Sequence, residues 1–185
     1  MSIRPYKQGE LDRLCSLYAL INAVRSTGFK LTRLQMQAVA DDIIENLSSD
    51  DLKALMLGGA EHKDLMKLAR RLNKGFNALF GKQVELTRPY KRNRPDLLTA
   101  LREMTEARLN NAGVIVRISS GRFDHYSVFS HIEREKVRFI DSDHMPSLPL
   151  NELSTNGEKK YALHLENIYC LQIRKSELMC INSDF

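Results

Sequence analysis

The chain has 185 residues, of which 43% are apolar and 28% charged, and a net charge of +5. That is enough for one domain with a substantial core and short for two, so a single domain over 1–185 is expected. No run approaches the roughly 18 apolar residues of a membrane span, and the polar, basic start Met1-Ser2-Ile3-Arg4 has no apolar signal core. The expected location is the cytoplasm.

Three cysteines (Cys15, Cys170 and Cys180) at wide spacing, with no CxxC, argue against both a disulfide framework and a structural zinc site. The positive balance mildly favours acidic partners without marking a nucleic-acid binder. Its densest stretch runs from Arg88 to Pro95, with Tyr90 inside it. It reads as a solvated connection, with an anion-docking loop as the sharper alternative.

In chain order, Leu14, Leu17, Tyr18, Ile21 and Val24 recur at helical spacing and predict a helix over 13–27, with Asp12 as its N-cap and Gly28 as its stop. Thr32 and Gln35 form a capping box that opens a helix to about Leu47. Ser48-Ser49-Asp50-Asp51 caps a short helix ending at Gly58-Gly59, and a further helix covers about 61–79. The period then changes. Val84-Glu85-Leu86 is a short strand, and Pro95 stands at the first turn of a last long helix over 96–109. β-rich runs follow at 114–118, 126–132, 136–141 and 167–173. Helices first and a mainly antiparallel sheet afterwards predict an α+β fold.

Within this frame, Cys15 falls in the first turn of an apolar helix. A lone cysteine there is ordinarily a small buried hydrophobe. A helix N-terminus, however, favours thiolate over thiol, which nucleophilic attack on a carbonyl requires. Gln8, seven residues upstream, offers a side-chain N–H for the oxyanion, where one donor contributes on the order of 3 kcal/mol to lowering the barrier. His125 sits at the start of the 126–132 strand, after a Gly-containing turn. His131 lies on the same strand and is expected on the same face. His62, His144 and His164 fall in polar or loop settings. If the strands around 126–132 and 137–141 form a hairpin, the start of the first lies beside the end of the second. His125 is then next to Asp141, which would orient the imidazole, with Asp143 as the substitute. Asp141-Ser142-Asp143-His144 also looks ligand-rich, but with no HExxH and no second cluster it reads as an acidic turn. No cofactor and no metal are called for.

These residues resemble a papain-fold cysteine peptidase, nearest to the bacterial C39-like branch. The likeness rests on Gln8, Asp12 and Cys15 followed by Tyr18-Ala19 and Asn22-Ala23. It continues with His125-Tyr126-Ser127-Val128 and with Asp141 sixteen residues after the histidine. Ser16 stands where that family has glycine, and the Gln-to-Cys spacing is one residue longer. The resemblance implies a nucleophile on the central helix and a thiol-dependent hydrolase acting on an amide or ester carbonyl. Cys15, His125, Asp141 and Gln8 would be its site. An acyltransferase or transglutaminase-like enzyme and a non-catalytic binding module on the same fold are the alternatives. The substrate is expected to be a peptide, a protein conjugate or a small acylated molecule, with neither nucleic acid nor a membrane as partner. The tail 178–185 is expected to pack on the sheet or on a partner.

Overall fold

In the computed structural model, residues 14–58, 61–91, 94–121, 123–143 and 145–175 are described. Four helices come first: α1 (Cys15–Ser26), α2 (Arg33–Glu45), α3 (Ser49–Gly58) and α4 (His62–Phe80). After β1 (Lys82–Thr87) comes α5 (Leu97–Leu109). Then follow β2 (Gly113–Ser120), β3 (Phe123–Glu133), β4 (Lys136–Ile140), β5 (Ser147–Pro149), β6 (Leu153–Ser154), β7 (Tyr161–Leu163) and β8 (Tyr169–Lys175). The fold is α+β with a mostly antiparallel sheet.

The helix boundaries follow their caps. Thr32 and Gln35 form the reciprocal capping box that opens α2. The Ser48 hydroxyl accepts the Asp51 N–H at the start of α3. Two predicted boundaries are corrected. Asp96 caps α5 rather than lying in its first turn, its carboxylate accepting the N–H and the hydroxyl of Thr99. The first helix begins at Cys15 with Leu14 in the capping position and no side-chain cap. Asp12 and Gln8 lie outside the described residues. The helix also stops one residue early, where the Thr27 and Gly28 N–H groups fold back onto α1 carbonyls and Gly28 takes φ +81°.

The sheet order is β1-β8-β2-β3-β4-β5, with β7 on the far end of β2 and β6 beside β7. Every pairing is antiparallel except β6 with β7. Both faces of the sheet are covered, which is why Val114-Ile115-Val116 reads as a continuous apolar run rather than an alternation. On one face Ile115, Tyr126, Val128, Tyr169 and Leu171 pack with the helices α1 to α4. On the other, Val114, Val116, Ile118, Phe129 and Phe139 pack with Ala100, Leu101 and Met104 of α5. No helix among the described residues is long and apolar enough to cross a membrane. The strands β5 to β7 have no counterpart in the sequence pattern. They have two or three residues each, too few to show a period.

Candidate active site

The site is set by the β3–β4 hairpin and the first turn of α1. The hairpin closes tightly. Glu133 pairs with Lys136 across a two-residue loop, Arg134-Glu135, in which both residues have positive φ. Pairing with β4 stops at Val128↔Ile140, so β3 from Phe123 to Ser127 runs on without a partner on that side. Continuing the register by one residue sets Asp141 opposite Ser127. His125 is the diagonal neighbour on the same side of the strand. β3 begins at Phe123, three residues before the predicted run, so His125 is held inside a strand rather than at its tip.

His125 Nε2 lies 2.7 Å from Asp141 Oδ1. Both side chains are almost fully buried. The other Asp141 oxygen accepts the backbone N–H groups of Asp143 at 2.8 Å and Met145 at 2.9 Å. The carboxylate is therefore held by a turn built on itself. Asp143 is exposed and contributes its backbone, not its carboxylate, to this arrangement. Cys15 lies close enough to His125 to contribute to the raised pKa of the imidazole.

The electrostatics follow from this packing. Burial disfavours the charged imidazole. The hydrogen bonds and charges of Asp141 and Cys15 more than offset it, and the His125 pKa is pushed up to about 10. Burial likewise opposes the Asp141 carboxylate, but the His125 hydrogen bond and charge hold its pKa below the ordinary carboxylate range. Cys15 itself is 7% exposed. The first intrahelical bond near it among the described residues runs from Tyr18 N–H to Leu14 C=O, and the N–H groups of Cys15, Ser16 and Leu17 precede it at the helix start. A groove of about 250 Å³ begins one residue away. Leu14, Leu17 and Tyr18 line it on one side, and apolar Met36 with polar Arg33 and Asp41 of α2 on the other.

The other candidate residues lie elsewhere. A bulge between Phe129 and His131 shifts the strand by one residue, so His131 pairs with Arg138, falls on the opposite face from His125 and is exposed. The same-face expectation is thereby corrected. His62 opens α4 and places Nδ1 2.7 Å from the Tyr169 hydroxyl. His144, Cys180 and the tail 178–185 lie outside the described residues. In the basic stretch, Tyr90 is buried and its hydroxyl donates to Glu103 at 2.6 Å, while Arg88 Nε donates to the Glu166 carbonyl. These anchors fit a connection tied down at both sides of its described part. Sequence reasoning does not reach the Asp143 and Met145 amides. Backbone donors leave no residue-type signal, and only the turn geometry after β4 reveals them.

The sequence matches no family model and no curated protein. Among solved structures the chain is similar to the peptidase domain of Streptococcus ComA, a bi-functional ABC transporter involved in a quorum sensing pathway. The TM-score is 0.49 at 11% identity, over 94% of this chain and 98% of that one.

Proposed function

We propose that this chain is a thiol-dependent hydrolase, cysteine peptidase-like, built as one papain-like domain of the C39-like kind. The observation that carries this reading is the buried His125–Asp141 contact at 2.7 Å, with Cys15 close enough to the imidazole to help raise its pKa. In this reading His125 holds the proton of the Cys15–His125 pair and the Cys15 sulfur attacks an amide or ester carbonyl. The N–H groups at the start of α1 receive the oxyanion, with Gln8 as the side-chain donor. The imidazolium then protonates the leaving amine or alcohol, giving a thioester on Cys15, and water releases the acid. Asp141 keeps the ring oriented and stabilises its charge while the proton is held there. The groove between α1 and α2, where Leu17 and Met36 stand beside the charged Arg33 and Asp41, offers space for a side chain of a peptide substrate.

The test is the pH dependence of iodoacetamide alkylation at each cysteine, read by mass spectrometry, for wild type and His125→Ala. Cys15 is expected to alkylate much faster than Cys170, and His125→Ala to abolish the difference. Cys170 serves as the internal control, since burial pushes its thiol up to about 11. If Cys15 behaves as Cys170 does, the thiol site is a binding site rather than a catalytic one.

A further inference from the structure

A second nucleophile–base arrangement stands apart from Cys15 and shares no residue with it. The Ser119 hydroxyl oxygen lies 2.7 Å from His164 Nε2. On the other side of that ring, His164 Nδ1 lies 3.6 Å from Glu166 Oε1. That distance is within ion-pair range but too long for a hydrogen bond, and it puts the carboxylate on the Nδ1 side of the ring. In the tautomer with hydrogen on Nδ1, Nε2 is the lone-pair nitrogen and accepts the serine O–H, the arrangement a relay requires.

The three residues stand on fixed backbone. Ser119 belongs to β2 and is flanked by Asp124 of β3 and Ala162 of β7. His164 follows β7 directly. Its N–H donates to the Arg117 carbonyl at 3.0 Å, and its own carbonyl accepts the Asn167 N–H at 2.9 Å. Glu166 lies in the 3-10 turn Leu165–Asn167, and its carbonyl accepts from Arg88 Nε. The group is reachable from solvent, with the His164 and Glu166 side chains 31% and 39% exposed.

A cation completes the arrangement. Arg117 sits two residues before Ser119, and so on the same face of β2, one strand repeat of about 7 Å away. Asp124 holds it in place by two contacts, one of them from Arg117 Nε to Oδ1 at 2.7 Å. Those contacts use Nε and Nη2, and the guanidinium lies 5.8 Å from the centre of the Tyr126 ring.

We propose that Ser119, His164 and Glu166 form a second acyl-transfer relay that accepts small activated esters, with Arg117 as its electrophilic group. Ser119 Oγ forms a bond to the ester carbonyl carbon as its proton passes to His164 Nε2. The carbon–alkoxide bond breaks and the alcohol leaves with that proton. Water, deprotonated by the same nitrogen, then cleaves the acyl-serine to the carboxylic acid and restores the hydroxyl.

The experiment uses the full chain carrying Cys15→Ala, so its outcome does not depend on the thiol site. The alkylation test above reads only cysteines, and either reading can fail alone. The probe is an alkyl fluorophosphonate, which loses fluoride as the serine oxygen–phosphorus bond forms, with the adduct located by mass spectrometry. The expected result is an adduct on Ser119, formed about a hundredfold more slowly or worse in His164→Ala. Glu166→Gln should give a smaller loss. The same variants should lose turnover of 4-nitrophenyl acetate in parallel. Circular dichroism of each variant separates loss of reactivity from loss of folding. No Ser119 adduct in the folded Cys15→Ala protein, or an equal rate in folded His164→Ala, overturns the proposal.

Discussion

The carbonyl oxygen of Ala23 lies 2.3 Å from where a Cβ on Gly113 would stand, and the carbonyl carbon lies 2.7 Å from it. Helix α1 therefore rests directly on the backbone of β2 at its first residue, and only glycine permits that approach. The consequence reaches the site, because the far end of the same helix presents Cys15. Gly113→Ala must push α1 away from the sheet. It is expected to lower unfolding free energy by about 3 kcal/mol or more, as a backbone clash cannot be relieved by rotating a side chain. Urea denaturation measures this. A stability within about 0.5 kcal/mol of wild type, the range typical of neutral surface changes, would show that α1 can shift without cost.

Arg108 secures the same junction from the other side. Its Nη1 donates to the Ser26 carbonyl at 2.5 Å, at the end of α1, and to the Ala112 carbonyl at 2.8 Å, just before β2. Burial lowers its pKa, and no carboxylate within ion-pair distance of it is found among the described residues. The guanidinium therefore acts as a donor to backbone rather than as half of a salt bridge. Arg108→Met keeps much of the volume and removes both bonds, with an expected loss of about 2–3 kcal/mol. Arg108→Lys should recover only part of it, since one ammonium lacks the fork geometry. Full stability in Arg108→Met would show the bonds to be incidental.

The hairpin that carries His125 and Asp141 turns through an unfavourable pair. Arg134 at φ +46° and Glu135 at φ +61° occupy the left-handed region that glycine and asparagine prefer. The double change Arg134→Asn, Glu135→Gly should relieve this. The expected gain is about 1 kcal/mol, with the register of β3 and β4 unchanged. A rise in Tm with unaltered Cys15 alkylation supports this. A fall in Tm would mean that the two side chains hold the turn by contacts of their own.

The hairpin also shows what is legible in the sequence. Two apolar runs around a short polar turn are enough to predict that His125 and Asp141 meet, because antiparallel pairing fixes which ends coincide. The same pattern misleads for His131. One bulged residue reverses every face beyond it, and a bulge has no residue-type signature here. Thr32 and Gln35 announce α2 because a capping box is a local pair. Asp96 is harder to place, since an aspartate at the N-cap and one in the first turn differ only in φ and ψ. Ser119, His164 and Glu166 are invisible as a group. β7 brings them together, and three residues carry no period.

The His125–Asp141 pair makes stability depend on pH in both directions. His125 is raised from 6.5 to about 10. A group raised on folding stabilises fully below its unfolded pKa, and that contribution is lost as pH climbs from about 6.5 through about 10. Asp141 is lowered from 3.8. Its contribution is present above that unfolded value and disappears as pH falls through the folded one. Stability is therefore expected to be greatest between about pH 4 and 6.5 and to decline on the alkaline side before any lysine titrates. Asp141→Asn removes the charge that supports the imidazolium but keeps a neutral side chain of the same shape. The variant should lose most of the alkaline decline between about pH 6.5 and 10, and its stability should lie closer to wild type at about pH 10 than at about pH 6. Thermal melts across about pH 4 to 10 read both slopes. Parallel curves for wild type and Asp141→Asn would mean that His125 titrates independently of Asp141. The 2.7 Å contact would then order the ring without stabilising its charge.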